Sequence, residues 1–472
     1  MSSRDTTIVA ALADFAADAE LPEQVTADVT GRVLDTFGNC LAAQELTDPA
    51  EPHEAVLRMA ERWGGVGGSS VIGRGLSLPA PSAALINGTL AHALDFDDTH
   101  LPSVLHPSAS VVPACLAVAE SAGLSGADLC RAVAVGDEIT NRLGMASYLP
   151  EVRNSVFFEK GWHATSICGT VGAAAGAALL MGLAADGIAH AMGIAASMGA
   201  GVIEANRTGG TVKRVHCGWA AHAAVVAATM AAEGITGPPT VFEGRFGFFE
   251  AFLDGRYDRD AITDGLGEQW ELLRTVYKPY PSNHFTHPGI DAALALRAQG
   301  LRPEDVAEIE LGVAAAPLRT IGEPHEEKVR PRTPYHAKFS GPYTVASALI
   351  GGGGLGLHLD DFTEAAFRDE RRLELAAKVR VVADEECSEE FPRAFSAVLR
   401  VRTVDGSSLE HRVHSSRGGP EHPLTFDELR TKYALNASRV LTPEAASALA
   451  EEVRGLATRA KVGGLLDTAL IG

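Results

Sequence analysis

Ile167-Cys168-Gly169-Thr170-Val171-Gly172-Ala173-Ala174-Ala175-Gly176-Ala177-Ala178-Leu179-Leu180-Met181-Gly182-Leu183 carries no charge over seventeen residues and places Gly172 and Gly176 in a GxxxG pattern. Such a run reads either as a membrane span or as a helix buried in a protein core. A span needs about 20 apolar residues, and this run is short. A second small-residue run, Ala191 to Val202, follows closely. Two such helices in succession point to tight helix–helix packing inside a soluble core, because glycine and alanine let backbones approach.

Outward from there, residues 1 to about 275 read as helix after helix. Val29, Val33, Phe37 and Leu41 repeat at helical spacing. Ser82 to Phe96, Ala109 to Ala122, Gly126 to Ala146, Ala164 to Leu183 and Gly218 to Glu233 are further helices, and Gly237-Pro238-Pro239 breaks the series. Ser70 to Gly73 reads as a short strand. After residue 276 the pattern changes. Ile309, Leu311 and Val313 alternate with Glu308, Glu310 and Gly312, and Lys378 to Val382 does much the same. Ala397 to Arg402 and Leu409 to Val413 flank Asp405-Gly406, a hairpin signal. Helices are expected at 341–350 and 361–377. They return with the capping box Thr425-Phe426-Asp427-Glu428 and with Thr442-Pro443. The expected fold class is mostly α: a large all-helical domain (1–275 and 418–472) with a smaller α+β lid domain (276–417) inserted before the C-terminal helices.

Composition narrows the function. The 472 residues are 46% hydrophobic and 21% charged, values of a globular protein. Forty basic and sixty acidic residues give a net charge of −20, which argues against nucleic acid or an anionic membrane as a partner. The six cysteines are scattered with no CxxC pair, so most are expected to be buried thiols. The first residues form an acidic amphipathic stretch and not a signal peptide, so a cytoplasmic location is expected. Gly351 to Gly354 lacks the Gly-Lys-Ser/Thr ending of a phosphate loop. GxSxG and HExxH are absent, as is a GxGxxG after a strand.

The chemistry concentrates in His92-Ala93-Leu94-Asp95-Phe96-Asp97-Asp98-Thr99-His100, followed by His106-Pro107-Ser108. Buried acids need partners or a function. On a continuing helix, Gly88, His92, Asp95 and Thr99 would share a face, with Asp97 and Asp98 pointing elsewhere. That phase expects Asp95 and Thr99 to line a cleft, assigns Asp97 and Asp98 mainly to structure, and weakens a shared metal.

Three further islands join it. Gly161-Trp162-His163 puts a histidine at the start of a helix, whose dipole would lower its pKa and suit it to act as a neutral base. Thr211 to Gly218 sets Lys213 and Arg214 before another apolar helix. Lys278 to Pro288 combines a lysine, a tyrosine and two histidines in a proline-stiffened segment. Cations beside a helix N-terminus suit a carboxylate. Taken alone, either basic island reads equally well as a solvated loop.

Together the islands resemble the MmgE/PrpD family of 2-methylcitrate dehydratases, cis-aconitate decarboxylases and iminodisuccinate epimerases. The resemblance runs through His92 to Thr99, His106-Pro-Ser108, Gly161-Trp-His163, Lys213 with His216 and Gly218, Val241-Phe-Glu-Gly-Arg-Phe-Gly247, and Lys278-Pro-Tyr-Pro281 with His287. It implies a homodimer without metal or organic cofactor. By the same resemblance His163, His106, Asp95 and Lys213 are catalytic, and Thr99, Lys278, Tyr343 and His287 bind substrate. Asn283-His284 stands where the resemblance leads one to expect Cys-Arg.

The expected function is a cofactor-independent lyase that stabilises charge next to a carboxylate of a small carboxylic acid. Dehydration of the 2-methylcitrate type is the first reading; cis-aconitate-type decarboxylation and iminodisuccinate-type epimerisation are alternatives. A magnesium-dependent terpene synthase using Asp95, Asp97 and Asp98 is a remote one, disfavoured by an aromatic content of 6%. A non-catalytic protein that binds small acids is a third.

Overall fold

The computed structural model describes residues 7–152, 154–205 and 210–471. It is mostly helical with small sheets and divides into two compact units. The first comprises the described residues up to Thr275 together with those from Tyr433 onward; the second is Val276–Lys432.

In the first unit the small-residue run becomes the helix Ala164–Leu180, all but one of whose residues are buried. Its glycines are what bring the neighbouring helices close. A Cβ on Gly172 would lie 2.1 Å from Thr140 Oγ1 and 2.3 Å from the Gly136 carbonyl, on the helix Gly126–Met145. The GxxxG pattern therefore seats one core helix directly on another backbone. A different stretch, Val212–Ala232, is long and apolar enough by length and composition to cross a membrane, and 56% of that window is buried inside the fold. All six cysteines are buried and free, and burial pushes the Cys40, Cys115 and Cys168 thiols far up.

The second unit is built on a four-stranded sheet in the order Ser408–Val413, Ala397–Thr403, Val306–Val313, Val379–Ala383. The first two pairings are antiparallel and the last is parallel. The alternation at Ile309, Leu311 and Val313 is real: all three side chains sit in this unit's core. The hairpin turns at Asp405-Gly406, with Gly406 at φ 88°.

Four expectations are corrected. The helix expected to run to Phe96 is Ala80–His92 and stops there. The 361–377 helix is split into Glu364–Phe367 and Glu370–Ala376, because the Thr363 and Asp369 side chains each cap a new start. The short strand is Ser69–Ser70, paired with Ser77–Leu78. The chain rejoins the first unit at Tyr433 and not near 418. Residues 418–432 stay with the second unit because the Gly418 carbonyl accepts from the Tyr277 amide at 3.0 Å and Leu424 and Leu429 pack on Tyr277.

Candidate active site

The site in the first unit begins at a glycine–glycine contact. A Cβ on Gly88 would lie 2.8 Å from Gly218 Cα, and one on Gly218 would lie 2.2 Å from the Leu85 carbonyl. With no side chains between them, the helices Ala80–His92 and His216–Ala232 meet closely. That approach brings His92, at the end of one, near His216, at the start of the other.

Past His92 the chain leaves the helix. Asp95 takes φ 55°, a left-handed conformation that aspartate tolerates better than most residues. Two distant clamps then fix the segment. Asn39 Nδ2 donates to the Phe96 carbonyl at 3.2 Å. Asp98 accepts from Arg32 at 2.8 Å and from Ser108 Oγ at 2.5 Å. Arg32 is fully enclosed and also bonds Asp28 and the Leu272 and Thr275 carbonyls. Asp98 is thus a brace, as expected. Asp97 is not: its Oδ2 lies 2.7 Å from His92 Nδ1 and 3.7 Å from His106 Nδ1.

The brace presents His106. Its Nδ1 lies 2.6 Å from the Asp98 carbonyl oxygen, and a carbonyl can only accept. Nδ1 therefore carries the hydrogen, and in the neutral ring Nε2 holds the lone pair. Thr99 Oγ1 is 3.3 Å from the same Nδ1, and Thr165 Oγ1 accepts from the His106 amide. His163 is the N-cap residue of Ala164–Leu180, its amide bonded to the Gly201 carbonyl at 3.0 Å. The imidazole centroids form a chain: His106 to His92 at 5.2 Å, His92 to His163 at 5.8 Å, His163 to His216 at 5.0 Å.

These rings are held in different charge states. Burial opposes a charge on His92, but the Asp97 carboxylate and Cys217 outweigh it and lift His92 to about 10. His163 is held well below the ordinary imidazole value, first by burial and then by the charges of Lys213 and His92. The lowering was expected, but its causes are burial and nearby cations. His216 falls to about 4, again by burial, His92 and Lys213. At neutral pH the cluster therefore combines an imidazolium, His92, with neutral His163 and His216.

Among the expected residues, the structure gathers His106, His163 and Thr99. Lys213 lies half-buried on the short helix Val212–Val215, one turn before His216. Asp95 is half-buried on a bend, not on a helix face. Lys278, His287 and Tyr343 belong to the second unit. Lys278 is buried. His287 Nε2 lies 3.2 Å from the Ser282 carbonyl. Tyr343 sits in that unit's core and its hydroxyl donates to the Asp361 carbonyl at 2.5 Å.

Three participants stand in the motifs without an expected part in the chemistry: His92 and His216, with no role assigned, and Asp97, assigned to structure. The spacing Lys213-x-x-His216, which puts both on one side of a helical turn, was the available signal for His216. The aspartate-rich segment is not arranged for a metal, since Asp97 serves His92 and Asp98 serves Arg32. Among the described residues the grouping that could hold an ion is Glu386, Glu390 and His414, in the second unit.

Comparison with known proteins gives the family. The model of the MmgE/PrpD N-terminal domain matches residues 10–260, and that of the C-terminal domain matches residues 280–458. The chain belongs to the MmgE/PrpD family. Among its relatives in that family, the cis-aconitate decarboxylase of Aspergillus terreus is 28% identical over 85% of this chain and 83% of its own. The cis-aconitate decarboxylase of Homo sapiens is 29% identical over 81% of this chain and 77% of its own. The cis-aconitate decarboxylase-like protein oryM of Aspergillus oryzae is 28% identical over 94% of both chains. These MmgE/PrpD relatives carry decarboxylase names, a lyase activity, and none of the three is named a dehydratase.

Proposed function

We propose that this protein is a lyase that removes carbon dioxide from a small unsaturated polycarboxylic acid, with cis-aconitate the first candidate. The observation that carries this reading is the pairing, in one cluster, of fixed positive charge with neutral imidazoles. Breaking a carbon–carboxylate bond leaves an electron pair that must spread toward a remaining carboxylate. Cations placed there stabilise the transition state more than the ground state. Lys213 and the His92 imidazolium supply that charge. The carbon then needs a proton, which the N–H of a neutral imidazole placed beside it can deliver.

Decarboxylation is placed ahead of 2-methylcitrate-type dehydration because the relatives' names favour it. The reading keeps Thr99 as a substrate contact, and it calls for no metal or organic cofactor. Proton NMR in deuterated buffer tests it, with cis-aconitate, 2-methylcitrate and iminodisuccinate offered in turn. Carbon dioxide release with one deuteron placed on carbon supports the proposal. Loss of water, or deuterium exchange without loss of carbon dioxide, replaces it with the dehydratase or the epimerase.

A further inference from the structure

We infer that His216 is a relay residue for His163, and that the two imidazoles work as one neutral proton-transfer unit through the hydrogen bond between their Nδ1 atoms. The inference rests on the proton-transfer reading above and goes further, since it names the residue that recharges the acid.

His163 Nδ1 and His216 Nδ1 lie 2.9 Å apart. One hydrogen fits between two ring nitrogens, so one ring donates and the other accepts. In a neutral pair the tautomers must then be opposite: the donor keeps a lone pair on Nε2, and the acceptor carries Nε2–H. The pair therefore presents a base and an acid together. Gly201 closes the rings in, as a Cβ there would lie 3.2 Å from His163 Cβ and 3.3 Å from His216 Nδ1. Ser166 Oγ ties the His216 carbonyl to the His163 helix at 3.1 Å. The charged groups that act on the pair are Lys213 on the preceding turn and His92, with Asp97 behind it. Both cations oppose adding a net charge to either ring.

That opposition is what a relay answers. Loss of carbon dioxide leaves an electron pair on carbon. His163 gives its Nε2 proton to that pair, and the N–H electrons stay on Nε2. The proton on His216 Nδ1 passes to His163 Nδ1, and solvent supplies one proton to His216 Nε2. Each ring ends neutral in the opposite tautomer, and one proton has moved from solvent to carbon. After product leaves, solvent protonates His163 Nε2, His163 Nδ1 returns its proton to His216 Nδ1, and His216 Nε2 releases one proton to solvent, which restores the starting pair. No imidazolium forms beside Lys213 and His92.

The first test needs no turnover. In the intact protein labelled with 15N-histidine, NMR at pH 7 should show His163 and His216 neutral and in opposite tautomers. The same tautomer in both rings, or a positive charge on either, overturns the relay. The second test is kinetic, on whichever acid the protein turns over. His216→Ala should lower kcat by about 100-fold, the scale of general acid–base catalysis, with KM within about twofold. His216→Asn, whose amide can hold the His163 tautomer but cannot pass a proton, should recover part of the rate. Its proton inventory should then be linear, where the wild type is curved by two protons in flight. Wild-type kcat in His216→Ala, or a wild-type inventory in His216→Asn, overturns the relay. If no acid is turned over, the proposed function fails while the NMR result still decides whether the pair exists.

Discussion

Asp97 Oδ2 lies 2.7 Å from His92 Nδ1, both buried, and this contact makes His92 a fixed cation in the middle of the histidine chain. Replacing Asp97 by asparagine removes the countercharge, so the His92 pKa should fall from about 10, as burial is then opposed by Cys217 without the carboxylate. Histidine NMR titration reads this directly. The sign on stability follows. A pKa raised in the folded state contributes fully below the unfolded value of about 6.5 and is lost as pH rises through the folded value. The wild type should therefore lose thermal stability between about pH 6.5 and 10, and Asp97→Asn should be flatter across that window.

Arg32 and Asp98 hold the other wall. Arg32→Met leaves the Asp98 carboxylate buried near Asp137, whose own carboxyl is already pushed well up by burial and by Asp98. Breaking a buried pair on one side costs about 3–5 kcal/mol. Denaturant unfolding should show a loss of that size. The double variant Arg32→Met, Asp98→Asn should recover part of it, since it leaves no buried charge uncompensated.

Gly218 sets the spacing between the His92 and His216 helices. A methyl group there meets the Leu85 carbonyl and Thr89 Oγ1, both at 2.2 Å, and backbone cannot turn aside as a flexible side chain would. Gly218→Ala should cost about 1–3 kcal/mol or more and should lower kcat beyond what its stability loss explains. Melting and kinetics on the same preparation separate the two effects.

Lys213 lowers the pKa of both His163 and His216. In Lys213→Ala both rings should titrate at higher pH than in the wild type, although burial still holds His163 down. Turnover should fall by about 100-fold or more, as for loss of one transition-state charge contact. Unchanged histidine titrations would show that Lys213 sits too far away to act.

Much of this was legible in residue patterns, and the exceptions have a common cause. The period-two alternation at Ile309, Leu311 and Val313 is a local property, and so is the cap Thr442-Pro443; both appear in the fold. The small-residue run around Gly172 announced close helix packing because glycine and alanine leave little side chain to hold backbones apart. The end of the His92 helix was illegible. Nothing in Ala93-Leu94-Asp95 forbids another turn. The helix ends because Arg32 and Asn39, some sixty residues away in sequence, capture Asp98 and Phe96. Once the helical phase fails, Asp97 turns toward His92, and the division of labour among the three aspartates changes with it. Asp98 remains the brace that was expected, and Asp97 enters the site.

The central claim is that the histidine cluster serves loss of carbon dioxide. The most direct measurement is proton NMR of the wild-type protein with cis-aconitate in deuterated buffer, with carbon dioxide release followed in parallel and a chelator present. Stoichiometric carbon dioxide and a product carrying one deuteron on carbon are expected. Unchanged cis-aconitate, or its hydration without carbon dioxide, would contradict it.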